Sequence, residues 1–349
     1  NNPYDLKRIS GGSSGGSAVL VAAGAVAASI GTDTGDSVRK PAAYNGVIGV
    51  KPTYGRISRY GIIPYASSLD HVGYFTTNVE DACTMLEVLA GRDDRDMTSS
   101  QRPVEAYLNQ LDSSLEGKVI GILDNVQEAI QDVQIRENLE DLMKKLEDRG
   151  AEIRHVRMPQ ELMETILPVY LTIANAEATA NHSNLDGIRF GMREDGESVE
   201  EVMMNSRTKG FSAYVRKRFI IGSYSLFVEN QDKLFRKAQK IRRLIVDHYR
   251  SLFEACDCII ASAAPNVAPL ENDAADEAMG IEHMVADNHM QLGNFSGYPS
   301  MTLPSGFVDG LPIGVNITCR PFEEQMMFNI AKAIEEETGL ADNTVEGKA

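Results

Sequence analysis

The sequence predicts an α/β fold, and three observations carry that prediction. "KVIGIL" (Lys118 to Leu123) and "AEIRHV" (Ala151 to Val156) read as strands joined through a helix, a connection long enough to bring the second strand back parallel by a right-handed crossover. Strand signals return near the other end of the chain at "CIIAS", "SMTLPSG" and "IGVNITC". Between these two sheet-forming parts the chain reads as mostly helical, from about Pro168 to Ala255, which suggests one domain with an insertion rather than two in tandem.

The elements follow in order. "ISGGSSGGSAVL" (Ile9 to Leu20) has the composition of a flexible linker. It runs straight into the Ala/Val-rich "SAVLVAAGAVAASIG", which is expected to be buried, and a glycine loop entering a buried helix can turn its free N–H groups toward an anion. A short helix is expected through about Ala23, then a strand near Val26 to Ile30, then a second loop, "GTDTGDSVRKPAA". In "TTNVEDACTMLEVLAG", Asn78 caps a helix with Asp81 three positions on. Val79, Ala82, Cys83, Leu86 and Leu89 form its apolar face, and Gly91 stops it. The crossover helix carries Ile135, Leu139, Leu142, Met143 and Leu146 on one face and closes at Gly150. The basic stretch from Lys233 to Arg243 reads as a solvated helix face, with contact to a partner protein or RNA as the sharper alternative. The acidic "LENDAADEA" reads as a surface loop, and no internal repeat is visible.

Composition narrows the function. With 349 residues, 43% hydrophobic and 24% charged, the chain has an ordinary globular make-up. A formal net charge of -16 argues against unaided binding to nucleic acid, whose phosphates attract Lys and Arg. No apolar run reaches the ~18–20 residues of a membrane span. The opening "NNPYDLKRIS" has neither an initiator Met nor the regions of a signal peptide, so a truncated rather than targeted start is expected. Cys83, Cys256, Cys258 and Cys319 sit in apolar segments without zinc spacing, and are expected to be reduced core residues in a cytosol-like compartment.

Hydrolytic chemistry needs a nucleophile, a base and donors for an oxyanion. None of the six histidines lies in a G-x-S-x-G or H-E-x-x-H context, and "GGSSGGSAV" lacks the lysine of a nucleotide-binding loop. The two loops themselves remain. Ser13 in the first and Ser37 in the second lie 24 residues apart, with one helix and one strand between them to return both loops to one end of the sheet. Serine beside serine can relay a proton to a third group, and the backbone around Thr34, Gly35, Asp36 and Ser37 can form a concave nest of N–H donors.

"GGSSGGSA" and "GTDTGDSVRKPAAYNGVIGVKPTYGRISRYG" resemble, in order and spacing, the signature of the amidase signature enzymes. The resemblance implies a single amidase-signature domain over residues 1–349 lacking its N-terminal part, with a large mixed β-sheet covered by helices and a helical insertion at about 165–255. It implies that Ser37 is the acyl-forming nucleophile, that Ser13, after a cis peptide bond, relays its proton, and that the amides of Thr34 to Ser37 form the oxyanion hole. The family's general base is a lysine upstream of the first loop, in a part this chain lacks. Lys7, Lys40 and Lys51 are the nearest by sequence and none occupies that position, so the chain is expected to be inactive alone. Asp36 stands where many members have glycine. Aspartate tolerates a left-handed backbone, but its carboxylate would oppose a neighbouring oxyanion.

Further along, "YGRISRYGIIPYASSLDHVG", "ANAEATANHSNLDGIRFG", "VRKRFIIGSYSL" and "KAQKIR" resemble one branch of that family, the A subunits of bacterial and organellar aspartyl/glutamyl-tRNA amidotransferases, over nearly the whole chain. This branch implies a glutaminase that feeds ammonia to the conversion of Glu-tRNA(Gln) or Asp-tRNA(Asn) into Gln-tRNA(Gln) or Asn-tRNA(Asn). Its glutamine-holding residues fall on Tyr170, Arg218 and Asp287. The residue types suit that role, since a guanidinium matches the α-carboxylate and a carboxylate the α-ammonium. Read alone, Arg218 has a surface helix charge as its lesser alternative, Tyr170 is equally a core residue, and an ordinary solvated loop acid is the alternative for Asp287. The branch implies no cofactor in this chain, ATP and Mg2+ at a partner, B and C subunits, tRNA reached mainly through the partner, no membrane, and a cytoplasmic or organellar location. A stand-alone amidase on another small amide and a non-catalytic assembly subunit or fragment remain as alternatives.

Overall fold

Local signals in the chain set most of the elements found in a computed structural model, which describes residues 1–272 and 281–345. The first loop leads into α1 (Gly15–Ala22), then β1 (Ser29–Asp33), α2 (Arg39–Asn45), β2 (Ile48–Lys51), β3 (His71–Thr76) and α3 (Val79–Leu89). Asn78 caps α3, its side chain accepting from Asp81 N at 2.7 Å, and Ala90 leaves the helix in an extended conformation before Gly91. Next come β4 (Val119–Leu123), α4 (Asp124–Ala129), α5 (Val133–Asp148) and β5 (Glu152–Val156). All five apolar residues read for the crossover helix are buried on α5. Asp132 caps its start, accepting from Gln134 N and Ile135 N, and Gly150 follows its end at φ 99°.

The helical stretch comprises α6 (Gln160–Glu164), α7 (Ile166–Asn181), α8 (Val199–Gly210), α9 (Ala213–Leu226), α10 (Val228–Gln231) and α11 (Phe235–Leu252). After it come β6 (Cys258–Ser262), α12 (Ile281–Asn288), α13 (Gln291–Ser296), β7 (Ser300–Val308), β8 (Leu311–Cys319) and α14 (Glu324–Thr338). The eight strands form one mixed sheet in the order β1-β3-β2-β7-β8-β6-β4-β5. β4 lies parallel to β5 and β6, as the long connection required, and every other pair is antiparallel.

Alternation along the strands divides the core between the two faces of the sheet. Cys258 and Ile260 of β6 face a cluster with Leu86 of α3, Leu142 of α5 and Phe328 of α14. Ile259 and Ala261 face the opposite cluster, with Ile173 of α7, Ile245 of α11 and Phe295 of α13. The four cysteines are free and buried. Among the described residues no helix is long and apolar enough to cross a membrane.

Three expectations are corrected. The first strand begins at Ser29, later than the stretch from Val26 to Ile30, because α1 ends in a turn at Gly24 (φ 65°) and pairing with β3 runs from Ser29 opposite Phe75 to Asp33 opposite His71. Nor is the whole Ala/Val segment buried: Ala18, Val21 and Ala22 pack on Val38 and Phe75, whereas Leu20 is 48% and Val26 39% exposed. One face of a short helix beside an edge strand can bury only its own stripe. The basic stretch is not uniformly solvated either. Lys237 and Arg243 are exposed, but Arg242 turns inward to donate to Ser68 O and Phe295 O. Most of "LENDAADEA", from residue 273 on, lies outside the described residues.

Candidate active site

Both serine loops meet at one end of the sheet. Ser14 N donates to Ser37 O at 3.1 Å, and the Ser14 hydroxyl bridges the backbone of Thr32, donating to its O and accepting from its N at 3.1 Å each. The Gly12–Ser13 peptide bond is cis. These ties place Ser13 and Ser37 on the wall of one cavity of about 790 Å³, together with Gly12, Thr34 and Asp36.

The second loop owes its shape to a buried ion pair. Arg39 and Asp33 are both wholly inaccessible. Arg39 Nη2 lies 2.9 Å from Asp33 Oδ1 and Nε 3.1 Å from Oδ2, a two-pronged contact. Nη2 also donates to Gly35 O at 2.8 Å and Asn294 Oδ1 at 2.6 Å, while Nη1 reaches Met290 O and Ser300 Oγ. Asp33 Oδ2 in turn accepts from Val38 N and, at 3.4 Å, from Arg39 N, so it serves the start of α2. Burial would push the Asp33 carboxyl up, but the Arg39 guanidinium overrules it and holds the group well below the usual carboxylate range.

Among the described residues, the N–H groups of Gly35, Asp36 and Ser37 donate to no protein group, unlike those of Val38 and Arg39. Three consecutive free donors beside a serine on a cavity wall can hold a developing oxyanion. Asp36 does not take a left-handed backbone: the described non-glycine residues with positive φ are Asp309, Phe322 and Asp342. Its carboxylate pairs with Lys40 at 2.9 Å, which offsets its charge next to those donors. Gly35 sits against Tyr170, where an added Cβ would come within 3.1 Å of the ring.

The cavity also gathers the other residues singled out in the sequence. Tyr170 of α7, Arg218 of α9 and Asp287 of α12 line it, with Tyr65, Tyr214 and Gln291. Burial, reinforced by the Asp36 charge, pushes the Tyr170 phenol up, so it stays protonated and able to donate. Arg218 is half-buried and donates to Tyr65 Oη at 2.7 Å and Tyr214 Oη at 2.5 Å. Among the described residues it pairs with no carboxylate.

Of the three lysines weighed as bases, only Lys40 lines the cavity, and it is bound to Asp36 and Asp287. Burial works against its charge, but the two carboxylates prevail and hold its pKa above the usual lysine value. Lys51 lies buried on β2, donating to Tyr298 O at 2.5 Å, and Lys7 is exposed. Among the described residues no group of three or more His, Cys, Asp or Glu could hold a metal. The sequence reading missed Asp33, Arg39 and Asn294 behind the second loop and Tyr65 and Tyr214 around Arg218. Only Tyr214, four residues before Arg218 on a helix, had a local signal.

Comparison with known proteins places this geometry. A family described as Amidase matches residues 1–328. The glutamyl-tRNA(Gln) amidotransferase A subunit of Persephonella marina is 40% identical over 95% of this chain and 67% of its own length. Its counterpart in Clostridium botulinum strain Okra is 39% identical over 96% of this chain and 68% of its own. Among solved structures, the glutamyl-tRNA(Gln) amidotransferase A subunit of Thermotoga maritima superposes with a TM-score of 0.80 at 34% identity, covering 98% of this chain and 69% of that one. The native peptide amidase of Stenotrophomonas maltophilia gives 0.77 at 26% identity over 98% and 69%.

Proposed function

Since the chain belongs to the amidase family, we propose that it is the glutamine-hydrolysing A subunit of a tRNA-dependent amidotransferase. The observation that carries this reading is the single cavity that collects two serines, three free backbone donors and an arginine without a carboxylate partner. Ser37 Oγ attacks the side-chain amide carbon of glutamine as its proton passes to Ser13, and the N–H groups of Gly35 to Ser37, with Thr34 at the loop's start, receive the oxyanion. The tetrahedral intermediate collapses with release of ammonia, leaving a γ-glutamyl ester on Ser37. Water then cleaves that ester to glutamate and restores the serine. Arg218 meets the α-carboxylate, Tyr170 borders the substrate beside Gly35, and Asp287 faces the α-ammonium with its charge shared with Lys40.

Proton relay from Ser13 needs an acceptor, and Lys40, held protonated between two carboxylates, is not one. The relay therefore runs to a base other than Lys40. In the assembled enzyme the ammonia passes to a B subunit that uses ATP and Mg2+ on Glu-tRNA or Asp-tRNA, with a C subunit completing the complex in a bacterial cytoplasm or an organelle. The acidic charge of this chain suits an enzyme that leaves tRNA to its partner. Ser37→Ala in the full-length assembled complex tests the assignment: glutamine-dependent ammonia release should vanish, and activity within about severalfold of wild type would refute it.

A further inference from the structure

Two cations on the cavity wall are balanced differently. Arg218 donates only to the phenols of Tyr65 and Tyr214 and forms no ion pair with any described residue. Lys40, by contrast, bridges two carboxylates, 2.9 Å from Asp36 Oδ2 and 2.8 Å from Asp287 Oδ1, and donates at 2.6 Å to Asp287 O. Two of its N–H donors are hydrogen-bonded to Asp287, and Asp36 holds its charge as an ion pair. Lys40 is thus a fixed part of the wall.

The geometry points to Lys40 as a specificity-determining residue. By seating its own ammonium between Asp36 and Asp287, it supplies the charge complement that a ligand's α-ammonium would otherwise supply. The inference rests on the glutaminase reading for the reaction and extends the substrate class. The site selects its amide by the anionic end at Arg218 and accepts ω-monoamides of dicarboxylic acids with or without an α-ammonium. A ligand ammonium arriving at Asp287 meets a carboxylate already paired, and a cation 2.8 Å behind it. The gain from a charge-assisted hydrogen bond is offset by repulsion from Lys40 and by loss of water around the ligand's own charge. Arg218, among the described residues, holds no carboxylate that a ligand's anion would have to displace.

The test is binding of the two diacid products, which needs no turnover. L-Glutamate carries the α-ammonium and glutarate lacks it. Isothermal titration of the full-length chain in its complex should give dissociation constants within about threefold of each other for wild type. Lys40→Gln frees both carboxylates and should shift the ratio toward L-glutamate by about tenfold or more, the effect of one charged hydrogen bond. A wild-type preference for L-glutamate above about threefold overturns the proposal. So does a folded Lys40→Gln variant whose ratio moves less than about threefold, or failure of both diacids to bind. If the variant does not fold, the wild-type ratio decides alone. Ammonia release from glutamine by the same complex is read separately, so loss of the glutaminase reading and loss of this one are distinguishable.

Discussion

Arg39→Met removes the guanidinium that holds the second serine loop while keeping a long apolar side chain in its place. The substitution leaves Asp33 buried with no cation in two-pronged contact, and it frees Gly35 O and Asn294 Oδ1. Breaking a buried ion pair from one side costs about 3–5 kcal/mol. With a urea dependence of about 3 kcal/mol per M, the unfolding midpoint should fall by about 1 to 1.7 M at pH 7. The pH dependence carries a second signature. In wild type the depressed Asp33 pKa contributes stability that is present above the unfolded value of about 3.9 and lost as pH falls below it. In the variant, burial acts without Arg39 and raises the carboxyl above its unfolded value, so the folded state takes up a proton and the deficit shrinks on acidification. Between pH 7 and pH 5 the deficit should narrow by up to about 3 kcal/mol. Urea titrations of the full-length chain, followed by far-ultraviolet circular dichroism at both pH values, measure this. A midpoint within about 0.3 M of wild type at pH 7, or a deficit that widens toward pH 5, would refute the role given to the pair.

Gly35→Ala should lower glutamine hydrolysis by about tenfold or more, measured as ammonia release, because its Cβ would sit 3.1 Å from the Tyr170 ring and displace either the loop or the phenol. Replacing Lys237 and Arg243 together by alanine should leave hydrolysis unchanged, while loss of complex assembly or of tRNA-dependent turnover would reveal a contact surface. Arg242→Ala removes the donors to Ser68 and Phe295 and should destabilise the chain by about 1–3 kcal/mol in urea unfolding. His289 is buried and its pKa is pushed down to about 4 by that burial, so the unfolded chain binds its proton first as pH falls. Its share of the stability loss between about pH 6.5 and 4 is about 3 kcal/mol, so His289→Gln should reduce the drop by about that amount while the part due to the equally buried His71 remains.

How much was legible in the sequence depends on the reach of each interaction. Asn78 capping its own helix and the apolar stripe of Ile135, Leu139, Leu142, Met143 and Leu146 act within one or two turns, and the chain states them directly. The serine loops were legible for the same reason: their residues are adjacent, and one helix and one strand separate them. The clamp behind them was not. Arg39 meets Asn294 across 255 positions and Ser300 across 261, and Lys40 meets Asp287 across 247. Nothing near Arg39 distinguishes a buried guanidinium from a surface one until the sheet brings α13 and β7 against α2. The edge strand failed for a local reason, since Ala and Val between residues 25 and 28 suit a strand, yet the backbone turns at Gly24 and pairing begins only at Ser29.

The sheet order also sets a schedule for the newborn chain. The second serine loop leaves the ribosome well ahead of its supports, for the group that holds it from β7 follows 261 residues after Arg39. At synthesis rates of about 5–20 residues per second, that interval lasts roughly 13 to 52 s. Throughout it the loop has Asp33 and Arg39 but lacks Asn294 and Ser300, and β2 waits for β7 to pair with. The second serine loop therefore gains its full set of buried partners only on molecules whose translation has already carried β7 out of the ribosome.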